Sequence, residues 1–459
     1  MKKVVFSHRE PIGSSTYPMP NEAVDMARTL ALLEQPWTGN RQSTLYIHIP
    51  FCDQVCSFCG FNKSVSPEDL KEQYVQALIR EMQLYGRMKH VSQLEVGAVY
   101  LGGGTPNCLS ADQLDRILAN LHRHFPLQKD VEITCEGVIQ NFTPERNEIL
   151  KKHGVNRISA GIQTFNREIR TEHLHMRQGK EELLESIRYI RSEFANFNLD
   201  FIYNLPNQTD EIWAEDVELA LSSGATHLTF YPLVLLENTA FYSDYVKQQK
   251  YAAPDQTREI KLFEYTLDKV KGSPYSNRYS VRDWAQPGQD CRYIRMNAES
   301  NNIMALGAGA HGYIANITYR NIRSTKQYIT TLMEQNQLPL EAQRWSTEEE
   351  RMQRYMVMGL RLRTLDMKPF KERFGREFSE VYADKIQDMV HSGYIKVEGS
   401  LIHFTYEGEI WANNVRTYFE GKKGVNVGYA DTTSIGEDGK THYSTITRIK
   451  ASGDVEANV

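Results

Sequence analysis

The sequence predicts an α/β fold: a partial (β/α)6 barrel of parallel strands, with an N-terminal arm and a C-terminal winged-helix-like module. Short apolar runs alternate with longer segments of helical periodicity, which is the pattern of βαβ units and a parallel sheet. The chain has no glycine-rich dinucleotide fingerprint after a strand, which favours a barrel over a doubly wound sheet. Polar residues lie at the ends of the apolar runs, where barrels carry their active sites.

The elements follow in chain order. Residues 1–44 form the predicted arm, in which Asn21 caps a helix that runs to about Glu34. The barrel is expected over 45–340. Its strands are the apolar runs at 45–49, 98–101, 131–135, 157–162, 199–203 and 227–231. The helical segments between them include 68–86, 111–124 and 180–194.

The C-terminal module is expected over 341–417. Ser346 and Glu349 have the spacing of a capping box at the start of its first helix. Its helices are predicted at 347–362, 368–374 and 378–392, and its two short strands at 394–397 and 401–404. Helices followed by a hairpin resemble a winged helix, but the last helix is mixed in charge, which favours a lid or packing role over DNA binding. Residues 418–459 are a predicted polar tail with a turn at 438–439.

Composition excludes several classes of function. The 459 residues carry a net charge of −5, whereas proteins whose main partner is nucleic acid usually show a basic surplus. No apolar run approaches the roughly 18 residues of a membrane span, and the N-terminus has charges where a signal peptide would be apolar. Six cysteines are too few for a disulfide scaffold and suggest a reducing compartment. The sequence therefore predicts a cytoplasmic protein.

Three of the six cysteines, Cys52, Cys56 and Cys59, lie within eight residues just after the first predicted strand. Thiolates are the usual ligands of iron–sulfur clusters. Three thiolates on a four-iron cluster leave one iron open to a small molecule. The alternative is a structural zinc site, although such sites usually contain a second paired motif that this chain lacks.

The cysteine motif and four further segments together resemble one protein family. An aromatic residue, Phe58, precedes the third cysteine, as in radical S-adenosylmethionine (SAM) enzymes. The other segments are Gly-Gly-Gly-Thr-Pro at 102–106, Gly-Ile-Gln-Thr-Phe at 161–165, Asn-Leu-Asp-Phe-Ile-Tyr-Asn-Leu-Pro at 198–206 and Gly-Ala-Gly-Ala-His-Gly at 307–312. Over 45–312 the chain resembles the group that contains oxygen-independent coproporphyrinogen III oxidase, a related heme chaperone and class C radical SAM methyltransferases.

This resemblance implies a 4Fe-4S cluster held by the three clustered cysteines, with SAM bound to the open iron and a second SAM molecule nearby. By the same resemblance, the residues that contact SAM are Tyr46, Phe58, Gly103, Gly104, Thr105, Glu136, Gln163, Arg177, Asp200, Ala308 and Gly309. An ionised glutamate only accepts hydrogen bonds, which suits an ammonium, a hydroxyl or a sulfonium. Asp200 has an alternative role as a helix cap. His173 and His175 are candidate substrate or heme contacts, and no catalytic residue is assigned.

Two features distinguish among the members of the group. Phe61 stands where the oxidases have a further cysteine, and Gly137 follows Glu136 where the oxidases and chaperones have an Asn-Pro or Asp-Pro pair. The glutamate–glycine pair is similar to the methyltransferases, although Val138 replaces their usual arginine. The leading hypothesis is class C methyl transfer to a tetrapyrrole, with heme ring opening.

Two alternatives stay open, namely oxygen-independent coproporphyrinogen III oxidase and a heme chaperone with little turnover. The expected partners are a tetrapyrrole (heme or coproporphyrinogen) and a low-potential electron donor such as a flavodoxin or ferredoxin. A flat tetrapyrrole needs a wide barrel mouth, which residues 1–44 and the C-terminal module are expected to cover.

Overall fold

A large, mostly parallel sheet dominates the structure, a computed structural model that describes the chain apart from residues 1–2, 7–8, 11–12, 14, 38, 276, 300, 421–430, 436–440, 445–447, 450–454 and 457–459. Six parallel strands lie side by side in chain order at its centre. They are β1 (Gln42–Ile49), β2 (Glu95–Gly103), β3 (Leu127–Gly137), β4 (Arg157–Gln163), β5 (Phe197–Tyr203) and β6 (His227–Pro232). Each predicted apolar run lies within one of them, so the predicted parallel sheet is confirmed.

Helices connect these strands and pack against the sheet through buried apolar faces. They are α1 (Met26–Leu33), α2 (Glu68–Gly86), α3 (Lys89–Ser92), α4 (Ala111–His124), α5 (Pro144–Lys152), α6 (Lys180–Glu193), α7 (Asp210–Ser222), α8 (Ala240–Tyr242) and α9 (Gln256–Val270). The predicted helices at 68–86 and 111–124 coincide with α2 and α4, and the one at 180–194 ends one residue early. Strong amphipathic periodicity fixes such helices locally.

Further strands extend the sheet at both edges, and the sequence analysis did not predict them. They are β7 (Asn277–Arg278), β8 (Asp283–Ala285), β9 (Asn302–Leu306), β10 (His311–Ile314), β11 (Ile317–Asn321) and β12 (Leu340–Trp345). β9 pairs parallel with β1, and β8 pairs antiparallel with β6. Because both outer members of the parallel set pair with these strands, the six-stranded set stays open, as a partial barrel requires.

Two more helices, α10 (Arg292–Ala298) and α11 (Thr325–Met333), precede β12 in the chain. The remaining helices and strands follow β12. They are α12 (Glu348–Gly359), β13 (Thr364–Asp366), α13 (Lys368–Phe374), α14 (Phe378–Val381), α15 (Ala383–His391), β14 (Ile395–Glu398), β15 (Leu401–Phe404), α16 (Tyr406–Ile410) and α17 (Ala412–Phe419). β13, β15 and β14 form a small antiparallel sheet beside the helices, which gives the expected winged-helix-like arrangement.

Three local predictions in the outer parts were wrong by a few residues. The capping box of α12 is formed by Thr347 and Glu350, one residue later than expected. The predicted helix 378–392 is divided at Tyr382. In the arm, Asp25 caps α1 in place of Asn21, because Glu22 pairs in an extended conformation with the strand β12.

The end of the chain contains two antiparallel pairs, β16 (Asp431–Ile435) with β17 (Thr441–Ser444) and β18 (Arg448–Ile449) with β19 (Val455–Glu456). The predicted turn at 438–439 lies outside the described residues. Within the described part of the chain, no helix combines the length and apolar character of a membrane span.

Candidate metal-cluster site

The cysteine loop, residues 50–64, follows β1 and closes on itself. The N–H of Cys52 donates to the carbonyl of Ser64 at 3.0 Å, and the N–H of Ser64 donates to the carbonyl of Pro50 at 2.8 Å. These hydrogen bonds satisfy backbone groups that would otherwise be buried without partners. The loop is therefore a defined structure at the carboxyl end of β1.

Two neighbouring loops hold the cysteine loop from either side. The N–H of Ser57 donates to the carbonyl of Leu174 after β4, at 3.4 Å, and the carbonyl of Ser57 accepts from the N–H of Phe241 after β6, at 3.0 Å. Cys56 and Phe58 also pack against a buried apolar cluster, which comprises Ile169, Leu174, Met176, Ile202, Leu205, Leu233, Phe241 and Tyr245. The cysteine loop is thus fixed relative to the ends of β4 and β6.

The connection after β2 brings backbone up to the cysteine loop. The N–H of Gly104 donates to the carbonyl of Ile49 at 2.8 Å, and the hydroxyl of Thr105 donates to Cys52 Sγ at 3.4 Å. A Cβ at Gly104 would lie 2.5 Å from the carbonyl oxygen of Phe51 and 3.0 Å from Cys52 Sγ. Only glycine permits this close approach.

The clustered thiols are close enough to affect one another's ionisation. Burial, followed by repulsion from Cys59 and Cys52, raises the pKa of the Cys56 thiol to about 12. Burial also raises the pKa of Cys52. Coordination to a metal deprotonates a thiol, so a cationic cluster would relieve this repulsion. No three His, Cys, Asp or Glu side chains among the described residues converge on a single-ion site. In a four-iron cluster, each thiolate binds a different iron, so three neighbouring thiols that do not meet at a single-ion site fit such a group.

Two half-buried carboxylates, Glu136 at the end of β3 and Asp200 within β5, lie in the central parallel strands and within electrostatic reach of each other. Burial, followed by the charge of Asp200, raises the pKa of Glu136 to about 8, although the N–H of Gly103 donates to it. Burial raises the pKa of Asp200 to about 6, although a 2.9 Å hydrogen bond from Asn198 lowers it in part. A nearby cation would favour the ionised form of both carboxylates. The alternative role of Asp200 as a helix cap is wrong, because Thr209 caps α7.

Tyr46 is held by a chain of hydrogen bonds that ends on the cysteine loop. Its hydroxyl lies 3.0 Å from His48 Nδ1, and His48 Nε2 lies 2.8 Å from the carbonyl oxygen of Asn62. A carbonyl only accepts, so Nε2 carries the proton and Nδ1 accepts from the tyrosine. The rings of Tyr100 and Tyr293 lie 6.5 and 6.4 Å from the ring of Tyr46. The sequence analysis missed both, and Tyr293 lies on a helix that it did not predict.

The turn between β9 and β10 also lies against the cysteine loop. The carbonyl of Ala308 accepts from Asn62 Nδ2 at 2.9 Å, and its N–H donates to the hydroxyl of Tyr74 at 3.0 Å. A Cβ at Gly309 would lie 2.7 Å from Asn62 Nδ2, and the φ of this glycine is +80°. On the other side of the barrel, Gln163 ends β4 with a φ of +68°, a strained conformation for a residue with a side chain.

The candidate residues of the connection after β4 separate into buried and exposed groups. His173 is buried, and its ring nitrogens lie 3.0 Å from the hydroxyl of Tyr251 and 3.1 Å from the amide of Asn207. His175 and Arg177 are exposed. Both ring nitrogens of His173 are therefore engaged within the protein, and the structure does not bring Arg177 into the cysteine loop.

Arg170 is the arginine that the fold brings towards the cysteine loop, and the sequence analysis missed it. Its Nε donates to the carbonyl of Gln178 at 2.9 Å, and its guanidinium also bonds the carbonyl of Ile162 at the end of β4. Burial lowers the pKa of Arg170 to about 10. The nearby thiol of Cys56 has the largest opposite effect on this pKa, which places Arg170 close to the cysteine loop. The sequence carries no signal that distinguishes it, because Arg170 lies among polar residues like a surface arginine.

These features define a barrel protein with three cysteines in one loop at the carboxyl end of its first parallel strand. Three thiolates suit a cluster that leaves one iron open to a small molecule. The family model of the radical SAM superfamily matches residues 46–220, and the model of the HemN C-terminal domain matches residues 346–410. This chain belongs to the oxygen-independent coproporphyrinogen III oxidase-like subfamily of the radical SAM superfamily. The superfamily implies a 4Fe-4S cluster and SAM as cofactors.

Several relatives are similar along most of the chain. The heme chaperone HemW of Bacillus subtilis is 28% identical over 82% of this chain and 99% of its own length, and that of Escherichia coli K12 is 30% identical over 62% and 73%. The anaerobilin synthase of Escherichia coli O157:H7 is 27% identical over 86% of this chain and 88% of its own. The fold is similar to that of coproporphyrinogen III oxidase (HemN) from Escherichia coli, with a TM-score of 0.75 at 23% identity over 88% of this chain and 96% of that one.

Proposed function

We propose that this protein is a radical SAM enzyme that transfers a carbon unit from SAM to a tetrapyrrole, as class C methyltransferases do, with opening of the heme ring. The observation that carries the SAM part of the proposal is the placement of Glu136 and Asp200 in the central parallel strands, the first of which leads into the cysteine loop. SAM carries an ammonium and a sulfonium, and either cation would lower the pKa of these carboxylates.

Each candidate residue has a role that its geometry allows. The thiolates of Cys52, Cys56 and Cys59 would hold the cluster, which supplies electron transfer and radical chemistry when SAM is bound. The residues that would orient two SAM molecules are Tyr46, Phe58, Gly103, Gly104, Thr105, Glu136, Gln163, Asp200, Ala308 and Gly309. Arg170 would act in place of Arg177, as a positioning residue that fixes the end of β4. A low-potential flavodoxin or ferredoxin would supply electrons.

One observation favours methyl transfer over the oxidase. The side chain of Phe61, where the oxidases have a further cysteine, is 63% exposed and offers no thiolate. A relative named anaerobilin synthase, 27% identical over 86% of this chain, is compatible with a tetrapyrrole as the substrate.

A heme chaperone is the second candidate function. It is favoured by the number of relatives named HemW, among them the one that is 30% identical. In that case the same site would bind a cluster and SAM, and the protein would hold heme without converting it.

The deciding experiment uses the full chain after anaerobic cluster reconstitution, reduced and incubated with heme and SAM that carries a labelled methyl group. We expect label in a ring-opened tetrapyrrole, together with 5′-deoxyadenosine and S-adenosylhomocysteine. Heme that stays bound and unchanged would support the chaperone. Release of carbon dioxide from coproporphyrinogen without label would support the oxidase.

Cysteine variants provide the matched control. Cys56→Ala is expected to lose the cluster, measured as iron and sulfide per chain, and to form no product. Cys291→Ala should keep both, because Cys291 is buried beside Glu132, away from the cysteine loop. Stoichiometric zinc without sulfide in the unaltered protein would contradict the cluster.

A further inference from the structure

The segment that leaves α12, residues 360–363, connects the C-terminal module to the barrel. Leu362 forms an antiparallel bridge with Ser280, and the N–H of Arg363 donates to the carbonyl of Tyr279 at 3.0 Å. Both partners lie in the connection between β7 and β8. The backbone on one side of Arg361 is therefore anchored to the wall of the barrel.

The side chain of Arg361 lies within electrostatic reach of several residues of the barrel. The ionisable groups that face it are Tyr293 of α10, Asp283 of β8, Arg282 in the adjoining turn and Tyr231 of β6. Arg361 keeps intermediate exposure, although these neighbours belong to the barrel and to the helix α10 beside it. The guanidinium therefore lies at the boundary between the barrel and the C-terminal module and is accessible to a ligand.

The guanidinium of Arg361 has no carboxylate of its own. Among the described residues it forms no ion pair and no hydrogen bond. Asp283 is engaged elsewhere, since it accepts from the hydroxyl of Thr229 at 3.0 Å and also from Ser280. Removing a charge from water is costly unless the charge is paired. The fold therefore retains a positive group whose best partner would be an anion from outside the chain.

This position adjoins the candidate SAM site. The ring of Tyr293 lies 6.4 Å from that of Tyr46 and 5.1 Å from that of Tyr100. Tyr231, which also faces Arg361, lies within electrostatic reach of Asp200. Arg361, a cation of the C-terminal module, thus shares its neighbours Tyr293 and Tyr231 with the residues of the candidate SAM site.

We propose that Arg361 positions a ligand by binding its carboxylate at the boundary between the barrel and the C-terminal module. A guanidinium binds a carboxylate through two parallel hydrogen bonds, which fixes orientation as well as affinity. This inference rests on the proposed function for the source of that carboxylate. The two sources are a propionate side chain of the tetrapyrrole and the methionyl carboxylate of SAM.

The test measures equilibrium binding to the cluster-reconstituted full chain with three probes: heme, heme dimethyl ester and SAM. Arg361→Met should weaken binding of the ligand that supplies the carboxylate by about ten- to a hundredfold, because it removes a charge-assisted hydrogen bond. Arg361→Lys keeps the charge but not the paired geometry, so it should lose less. Arg376→Met, which changes an exposed arginine of the same module, is the matched control and should bind all three probes normally.

The pattern across the probes identifies the source. If the propionate is bound, Arg361→Met weakens heme binding, whereas binding of the ester is already weak and does not change further. If the SAM carboxylate is bound, only SAM binding weakens. Unchanged affinity for heme and SAM in correctly folded Arg361→Met, or in Arg361→Lys if the methionine variant does not fold, would overturn the inference.

The proposed function can fail separately. Unaltered protein that binds no heme would contradict a tetrapyrrole substrate, and the effect of Arg361→Met on SAM binding would then decide whether Arg361 binds a carboxylate.

Discussion

Glu136 and Asp200 are the residues at which the charge of the site depends most directly on pH. Burial raises the pKa of both, to about 8 and about 6, so both gain negative charge as the pH rises between these values. A cationic ligand binds the ionised forms. We therefore expect the affinity for SAM to increase from pH 6 to pH 8.5, measured by equilibrium binding to the reconstituted protein under anaerobic conditions.

The variant Glu136→Gln keeps the shape of the side chain and removes its titration. Its affinity for SAM should be about tenfold lower at pH 8.5, the effect of losing one charge-assisted hydrogen bond, and should change less with pH. An unchanged pH dependence in this variant would assign the titration to another group. The raised pKa has a further consequence in the ligand-free protein. Because folded Glu136 holds its proton more tightly than the unfolded chain does, stability should fall as the pH rises from about 4.5 towards about 8.

At the scale of an element, the cysteine loop depends on the backbone of the connection after β2. In Gly104→Ala, the new Cβ would lie 2.5 Å from the carbonyl oxygen of Phe51 and 3.0 Å from Cys52 Sγ. The loop must then shift, and we expect the variant to bind less than half of the normal iron and sulfide after reconstitution. Circular dichroism should show that the rest of the fold is retained, since the clash is local.

Gly179→Ala is the control for this substitution. A Cβ at Gly179 would meet only Glu182 Oε2, at 3.7 Å, which is an ordinary contact. Its φ of −85° also suits residues with side chains. It should therefore bind iron and sulfide normally, and equal cluster content in Gly104→Ala would show that the close approach at Gly104 is not needed.

At the scale of the whole molecule, the N-terminal arm links the barrel to the C-terminal module. Arg9 forms a buried ion pair with Glu259 of α9, and its Nε donates to the carbonyl of Ile410 at 2.7 Å. Arg9→Met would leave the buried carboxylate of Glu259 without its cation, which typically costs about 3–5 kcal/mol. We expect a lower midpoint of thermal unfolding, measured by calorimetry.

An exposed ion pair of the C-terminal module provides the comparison. The side chains of Lys396 and Glu398 are 57% and 60% exposed, and such pairs contribute about 0–1 kcal/mol. Lys396→Met should therefore leave the unfolding midpoint almost unchanged. Equal midpoints for the Arg9 and Lys396 variants would mean that the arm does not stabilise the assembly of barrel and module.

The packing of the arm also bears on the predicted cover of the barrel mouth. Phe6 packs its ring against Tyr394 and Trp411, at 4.8 and 5.9 Å, so the arm is joined to the C-terminal module. The segment after that module's first helix places Arg361 within electrostatic reach of Asp283 and Tyr231 in the barrel. That the arm and the module cover the barrel mouth stays a prediction. Because the contacts of Phe6 join the two segments, we expect them to cover it together.

The sequence by itself determined the parallel strands, their main helices and the cysteine loop. These features depend on local signals: apolar runs, helical periodicity and the spacing of thiols along a short segment. The same locality explains why Glu136 and Gln163 could be predicted at strand ends, since the ends of parallel strands meet at one edge of a sheet.

Only the tertiary structure decided the position of the edge strands, the burial of Arg170 and the placement of Tyr293 and Arg361. β9 joins β1 across more than 250 residues of sequence, and such long-range pairing leaves no local periodicity from which to predict it. Arg170 and Arg361 differ from surface arginines only in what surrounds them, because burial and missing partners are properties of the folded molecule. The sequence could therefore locate the cluster loop, whereas the groups that face its ligands became visible only when distant segments were brought together.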